Sequence, residues 1–166
     1  MLSTNTVSKS KTPGTARSRS SQDATALLKA DHKLVDSLFK EFEATRSDKK
    51  KKELVEEICK ELTIHAQVEE EVFYPAVQEA LKDHELVPEA YVEHSSLKVL
   101  IAGLKGFEPS GDLYDAKVKV LSEYVKHHVK EEEKEMFPEV KASRLNLAEL
   151  GAKIAERKTQ LEVEYK

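Results

Sequence analysis

Four histidines and two glutamates of this sequence have the residue types and the spacing of metal ligands. Each histidine lies in an apolar stripe of a separate predicted helix, and each glutamate follows a histidine by four residues. Residues four apart share one helix face, so all six side chains are expected to point inward. Ionised groups are buried at a cost of several kcal/mol unless a partner or a cation compensates them. The candidate metal ligands are His32, His65, Glu69, His94, His128 and Glu132.

The ligand types favour a pair of metal ions bound without thiolate. Cys59 is the only cysteine, so a Cys-x-x-Cys metal site and an intrachain disulfide are both excluded. Imidazole and carboxylate suit iron, manganese or zinc, and two glutamates among four histidines suggest two ions bridged by both carboxylates. Structural zinc would need only one closed tetrahedral set of ligands. With an oxo, hydroxo or water bridge, each six-coordinate ion would keep one position open for a small molecule.

Apolar residues at helical spacing predict an all-α protein. Charged residues make up 35% of the 166 residues, Gly and Pro number five each, and the length suits a single core. The stripes break at 46–48, near 82–83 and between 106 and 112, which separates four helices. A fifth helix is predicted from about Asn146, and we assign residues 143–166 to a C-terminal helix that packs on the bundle.

An internal repeat relates the two halves of the predicted bundle. At a shift of 63 residues, the segment 65–75 aligns with 128–138, and in both segments a His-x-x-x-Glu pair is followed by an aromatic-Pro pair. One His-x-x-x-Glu pair on a charged helix would be weak evidence, whereas two copies with the same ending are strong. The repeat predicts two tandem helical hairpins, 23–82 and 84–142, forming an up-down-up-down four-helix bundle.

Two further residues are candidates for catalysis. Glu61 and Tyr124 lie one turn before His65 and His128, where each would be an extra metal ligand, a group that orients an imidazole, or a catalytic acid or base. Structural packing explains Tyr124 equally well. The aromatic residues near the site are expected to wall the pocket or fill the core rather than react, and they are Phe39, Phe73, Tyr74 and Phe137.

The remaining charged residues near the stripes are interpreted as lying outside the site. His127 is one residue off the stripe, and His84 falls in the connection between the hairpins. Five glutamates are expected to form a solvated face, because they lie about 100° or more around the helix from the stripe. They are Glu70, Glu71, Glu131, Glu133 and Glu135.

Charge and hydropathy limit the partners. The net charge is −4, and because residues 1–22 carry four basic residues and no acid, residues 23–166 carry −8. Nucleic acid is therefore not expected as a partner, since basic residues in the body are interleaved with acids. No apolar run reaches the roughly 20 residues of a membrane span, and we expect no secretory signal, because the first residues lack its hydrophobic segment. We expect a cytoplasmic protein with a disordered basic tail at 1–22, and no protein partner is indicated.

Together these residues resemble the hemerythrin-like (HHE cation-binding) domain family over about residues 23–142. The resemblance implies an up-down-up-down bundle with a non-haem di-iron centre, in which the four histidines are terminal ligands and Glu69 and Glu132 bridge the ions. An oxo or hydroxo group would complete the bridge. The motifs that carry the resemblance are Asp31-His32, His65-x-x-x-Glu69, Phe73-Tyr74-Pro75, Glu93-His94, His128-x-x-x-Glu132 and Phe137-Pro138.

One departure from the family pattern shapes the expected function. Oxygen-carrying hemerythrins have a second histidine one turn after the first on the third helix, and here that position is Lys98. The resemblance therefore implies a protein that binds or reacts with dioxygen, hydrogen peroxide or nitric oxide, with catalase- or peroxidase-like turnover if it is an enzyme. The alternative is an iron- or oxygen-responsive regulatory module without turnover. A third interpretation is a helical bundle without metal.

Overall fold

The computed structural model describes residues 22–82, 85–109 and 111–166, and these residues form helices without any strand. The predicted tail, apart from Gln22, and His84 lie outside the described residues. In chain order the elements are α1 (Ala24–Ala44), α2 (Asp48–Val68), π1 (Glu69–Phe73), α3 (Tyr74–Leu81), α4 (Leu86–Ala102), α5 (Asp112–Glu131), π2 (Glu132–Met136), α6 (Phe137–Ala142) and α7 (Leu147–Glu164).

The elements combine into four long helices and a fifth. The α2, π1 and α3 segments follow one another without a break, as do α5, π2 and α6. The hairpin partners α1 and α2 pack together, as do α4 and α5. The all-α four-helix bundle with a C-terminal fifth helix, predicted from the sequence, is thereby confirmed.

Side-chain caps set the starts of three helices. Asp23 accepts a hydrogen bond from the Ala26 N–H at 2.9 Å, and Ser47 and Asn146 cap α2 and α7 in the same way. Each cap satisfies a backbone N–H that has no partner inside the helix. These caps fix where α1 and α2 begin, and with that the positions of His32 and His65 along the bundle axis.

The core consists of two apolar clusters on either side of a polar layer. One cluster includes Leu28, Phe73 and Phe137, and the other includes Phe39 and Ile58. His32 lies between Leu28 and Phe39 on α1, so the histidines form a layer between the clusters. Apolar packing on both sides holds the polar layer in place.

The fifth helix covers α1 and α2. At Gly151 it approaches the start of α1 so closely that an added Cβ would overlap the carbonyl oxygen of Gln22. Its polar face makes two further contacts, from Arg157 to Glu71 and from Lys158 to Asp31. The fifth helix therefore touches the residue next to His32.

The two π segments were not predicted. In each segment the ladder changes to i→i+5 bonding, with the Tyr74 N–H donating to the Glu69 carbonyl and the Phe137 N–H to the Glu132 carbonyl. Pro75 has no N–H to continue this register to Glu70, and the Tyr91 hydroxyl donates to the Glu70 carbonyl instead, at 3.3 Å. Both π segments thus begin at a candidate metal ligand.

Candidate metal centre

The six predicted ligands meet in the interior of the bundle. His32, His65, His94 and His128 come from α1, α2, α4 and α5, and Glu69 and Glu132 are the first residues of π1 and π2. Their exposed fractions lie between 0% and 7%. The sequence placed all six on inward faces, and the structure brings them together. Their binding of metal stays a prediction.

The histidines form two pairs through their Nε2 atoms. The Nε2 atoms of His32 and His65 are 3.2 Å apart, and those of His94 and His128 are 3.1 Å apart. Among the described residues, three sets of donor atoms lie within 4.8 Å of one another, and two of them are buried: one contains His32, His65, Glu69 and Glu132, and the other contains Glu69, His94 and His128. The third set, Glu93, His127 and Glu131, lies toward the surface. The arrangement offers places for two ions, with Glu69 common to both.

The two glutamates are not equivalent. Glu69 divides its oxygens between the sets, with Oε1 at 3.2 Å from His65 Nε2 and Oε2 at 3.3 Å from His94 Nε2. Glu132 presents a single oxygen to both sets, because its Oε2 lies 3.3 Å from His32 Nε2 and 3.6 Å from His128 Nε2. Glu69 thus faces both histidine pairs with separate oxygens. Bridging of two ions by Glu69 and Glu132 stays a prediction.

Two buried oxygens test whether these residues fit metal ions. Glu69 Oε1 and Glu132 Oε2 have no hydrogen-bond partner within the described part of the chain. Buried carboxylate oxygens without a donor are costly, and a cation would compensate them. A cavity of about 20 Å³ lies beside the histidines. That volume holds about one water-sized species. The donor set and the orphaned oxygens fit a pair of small cations.

An outer ring of carboxylates orients the imidazoles. Each Nδ1 contacts one carboxylate oxygen, at 2.8 Å for His32, 3.3 Å for His65, 3.0 Å for His94 and 2.5 Å for His128. The partners, in the same order, are Glu133, Asp31, Glu70 and Glu93. A carboxylate on Nδ1 fixes the tautomer that leaves Nε2 free for a metal. All four rings are thereby turned with Nε2 toward the centre.

Assigning Glu70 and Glu133 to the solvated face was therefore wrong. Positions beside the buried stripe of a bundle helix face the neighbouring helix rather than bulk water. The wider π turn also rotates consecutive residues by less than the 100° of an α-helix. Glu71 and Glu135 are exposed, as expected.

Cations support two of the outer carboxylates. The Lys98 Nζ donates to both oxygens of Glu70 at 2.7 Å, and the Lys158 Nζ donates to Asp31. Lys98 occupies the position at which oxygen-carrying hemerythrins have a second histidine. Its Nζ contacts Glu70 rather than the cluster, and Glu70 in turn contacts His94 Nδ1. His127 is 60% exposed and contacts Glu93, which agrees with its predicted place off the stripe.

The electrostatics of the cluster follow from its mixture of acids and imidazoles. Burial lowers the pKa of His65, but the charge of Glu69 and the hydrogen bond to Asp31 outweigh burial and raise that pKa to about 10. Burial also lowers the pKa of His128, but the neighbouring carboxylates of Glu132, Glu69 and Glu93 outweigh burial and raise that pKa to about 11. Burial raises the pKa of Glu69, yet the surrounding histidines hold it well below its usual value. Metal binding requires neutral imidazole, so cation uptake would release protons.

Tyr74, which was expected to wall the pocket or fill the core, lies within the site. Its hydroxyl donates to Glu132 Oε1 at 2.6 Å and lies 3.1 Å from both Glu69 Oε2 and His94 Nε2. Burial and the two carboxylates raise the pKa of Tyr74 well above its usual value. The equivalent residue in the other half is Phe137, whose ring stacks on His32 at 6.0 Å. The internal repeat contained a sign of this role, because it aligns Tyr74 with Phe137 and so shows that only one half of the site has a hydroxyl group at this position.

The two catalytic candidates lie away from this centre. Tyr124 is 41% exposed, and Glu61 is half-buried. Neither makes a hydrogen bond or ion pair to the six candidate ligands within the described residues. Both sit one turn before a histidine on the helix, but their side chains leave the inward face. A catalytic role for either residue stays a prediction that this geometry does not support.

Comparison with known proteins agrees with this geometry. The profile of the family described as the Hemerythrin HHE cation binding domain matches residues 23–140. The chain belongs to the hemerythrin HHE cation-binding family. A crystal structure of an HHE cation-binding domain-containing protein, the Rv2633c homolog from Mycobacterium kansasii, superposes with a TM-score of 0.73 at 28% identity, covering 86% of this chain and 89% of that one. The chain is thus a metal-binding helical protein, as the sequence predicted.

A second relative carries a different name. The chain is 33% identical over 115 residues to a protein from Nostoc sp. (strain PCC 7120 / SAG 25.82 / UTEX 2576) named DNA nickase. The alignment covers 69% of this HHE-family chain and 32% of the relative, so the chain spans about a third of that protein. This name weakens the expectation that nucleic acid is not a partner. None of the described helices is long and apolar enough to span a bilayer, and a cytoplasmic location stays a prediction.

Proposed function

We propose that this chain holds two iron ions and binds or reacts with dioxygen, hydrogen peroxide or nitric oxide. The observation that carries the proposal is Glu69, whose two oxygens face two separate histidine pairs. A carboxylate in that position suits two ions better than one closed tetrahedral site. The ligand set without thiolate favours iron, manganese or zinc, and the family resemblance selects iron among them.

The protein's own residues would hold, orient and shield this centre. Iron would supply exchangeable coordination positions and one-electron redox chemistry when bound. The outer carboxylates keep Nε2 of each imidazole directed inward. Phe137 and Phe73 exclude water on one side of the layer. The Tyr74 hydroxyl places a proton next to Glu132 Oε1 and His94 Nε2, beside one of the two donor sets.

Peroxide turnover provides the test of this proposal. The metal-free chain is reconstituted anaerobically with Fe²⁺, and its iron content, visible spectrum and peroxide-dependent oxygen release are measured. We expect about two irons per chain, and loss of both iron and oxygen release in Glu69→Ala. The matched control is Glu79→Ala, because Glu79 is an exposed glutamate of the following helix α3. Well under one iron per chain in the wild type would contradict the proposal and favour the helical bundle without metal.

A regulatory module is the second candidate function. The two donor sets join α1, α2, α4 and α5, so metal occupancy would couple to folding of the whole bundle. The contact from Lys158 to Asp31, whose other oxygen faces His65, extends this coupling to α7. A large rise in melting temperature on iron loading, without peroxide-dependent oxygen release, would favour the regulatory module.

A further inference from the structure

A groove between α1 and α5 lies next to the candidate metal centre. The groove has a volume of about 270 Å³, and His32 forms part of its wall. The small cavity beside the histidines shares His32, Val125 and Val129 with this groove. These three side chains are therefore the partition between the groove and the cavity. A species in the groove lies one side-chain layer from the cluster.

The internal repeat explains why no side chain bridges the two sides of this groove, the seam between α1 and the α5–π2 helix. The twofold relation of the hairpins pairs Asp36 with Lys98, each four residues after its histidine, and pairs Glu133 with Glu70. On the α4 side, Lys98 binds both oxygens of Glu70 and bridges the equivalent seam. Asp36 and Glu133 are both acidic, so they cannot form the ion pair that Lys98 and Glu70 form in the other half. Asp36 pairs instead with Lys40 on its own helix, at 2.6 Å.

Three lysines give the mouth of the groove its charge. Lys126, Lys130 and Lys134 lie on successive turns and line the groove. None of them has an ion-pair partner among the residues that the structure describes. Glu133 is already occupied by the His32 Nδ1 at 2.8 Å. The two acids of the groove wall, Asp36 and Glu133, are paired with Lys40 and His32. Within the described residues, the mouth therefore presents three lysines without an ion-pair partner, on a chain whose net charge is −4.

We propose that this groove is the entrance to the metal centre and that it selects small inorganic monoanions. The proposal rests on the proposed function, because it assumes that the cluster holds iron. Unpaired lysines around a cleft raise the local concentration of anions and their association rate. A neutral ligand gains nothing from these lysines, so the entrance distinguishes anionic from neutral ligands. The narrow cavity admits only small species.

Azide binding to the iron-loaded protein tests the charge effect. The variant Lys126→Gln/Lys130→Gln/Lys134→Gln is expected to slow azide association about tenfold at low ionic strength, followed by stopped-flow absorbance. Binding of nitric oxide, which is neutral, should keep its rate. The difference in azide rate should vanish near 1 M salt, where the Debye length is about 3 Å.

A second lysine triplet supplies the matched control. Lys52, Lys60 and Lys105 line another groove, whose wall contains none of the six candidate ligands. Changing these three lysines to glutamine alters the net charge equally, and we expect the azide rate to change by less than about twofold. Equal slowing by both triplets, or no slowing by the first, would overturn the proposal.

Closing the seam tests the route independently of charge steering. Asp36→Lys recreates the arrangement of Lys98 and Glu70 by placing a lysine opposite Glu133. This variant should slow nitric oxide binding several-fold without lowering the iron content. An unchanged nitric oxide rate in the iron-loaded variant would overturn the route. Failure of the proposed function looks different, because the wild-type chain would then contain no iron to bind either probe.

Discussion

Each imidazole of the cluster uses its two nitrogens for different tasks. Nδ1 faces a carboxylate of the outer ring, and Nε2 faces the centre. The ring orientation is thus fixed before any ion binds, which limits the conformational freedom that metal binding must remove. The two halves of the cluster share this plan but differ at Tyr74 and Phe137.

Replacing Tyr74 by phenylalanine would make the two halves alike. Tyr74→Phe removes the hydroxyl that contacts Glu132, Glu69 and His94 while it keeps the ring. We expect about two irons per chain to remain, and peroxide-dependent oxygen release to fall about 10²-fold or more, the usual effect of losing a positioned proton donor. Iron analysis and oxygen-electrode rates on the same sample check this.

The counterpart change separates the hydroxyl from ring packing. Phe137→Tyr adds a hydroxyl to the other half, where Phe137 stacks on His32, and it should not restore the rate in a Tyr74→Phe background. An unchanged rate in Tyr74→Phe would assign Tyr74 to packing, as the sequence analysis had it.

The sequence indicated which six side chains come together in the interior, but not the carboxylates that contact the imidazoles, for a physical reason. The positions of His65 and Glu69 follow from helical periodicity and the repeat, which one chain segment determines by itself. The contacts from Glu133 to His32 and from Glu70 to His94 join different helices. They depend on which helices become neighbours, and periodicity within one helix does not determine that.

At the scale of elements, the π segments explain how Tyr74 reaches the site. A residue five positions after Glu69 aligns with it only when the local bonding is i→i+5. Helical periodicity measured along the chain assumes the α-helical turn, so it gives no indication that Tyr74 contacts Glu69, and Tyr74 was expected in the pocket wall or the core. Pro75 and Pro138 were visible in the sequence, and each lies two residues after its π segment. The missing N–H of each proline favours this change of register, which α-helical periodicity alone does not predict.

The fifth helix depends on one glycine for its close contact with α1. In Gly151→Ala, the new Cβ would meet the Gln22 carbonyl oxygen and lie 3.0 Å from the Ala24 backbone nitrogen. Backbone cannot move aside as a side chain can, so we expect a loss of about 1–3 kcal/mol in the free energy of unfolding. Urea denaturation of the metal-free chain, followed by circular dichroism, measures the loss.

Gly103→Ala is the matched control for the fifth helix. The nearest atom to a Cβ at Gly103 is the Leu100 carbonyl oxygen at 3.4 Å, and the backbone there is helical with φ −66°. We expect a change within about 0.5 kcal/mol. If both glycine variants lose the same stability, the close approach of α7 to α1 is not the cause.

At the scale of the whole molecule, a fold shared with a family does not decide the partner. Most of the chain matches the HHE profile, and the relative named DNA nickase aligns with 115 residues of this chain while about two thirds of its own length lies beyond the alignment. Among the residues that the structure describes, acids and bases alternate over the surface, as in the pairs Lys40–Asp36, Lys153–Glu149 and Arg157–Glu71. That part of the surface offers no extended basic face to a phosphate backbone.

We therefore expect no nicking of DNA by this chain. Supercoiled plasmid incubated with the iron-loaded chain, without peroxide or reductant, should stay supercoiled on an agarose gel. The expected reason is electrostatic, because residues 23–166 carry −8 and the lysines of the α1–α5 groove occupy a single short stretch. Conversion to open circles by the wild type, abolished in Glu69→Ala and retained in Glu79→Ala, would show that the metal centre itself acts on DNA. That outcome would replace the small-molecule function with a nucleic-acid one.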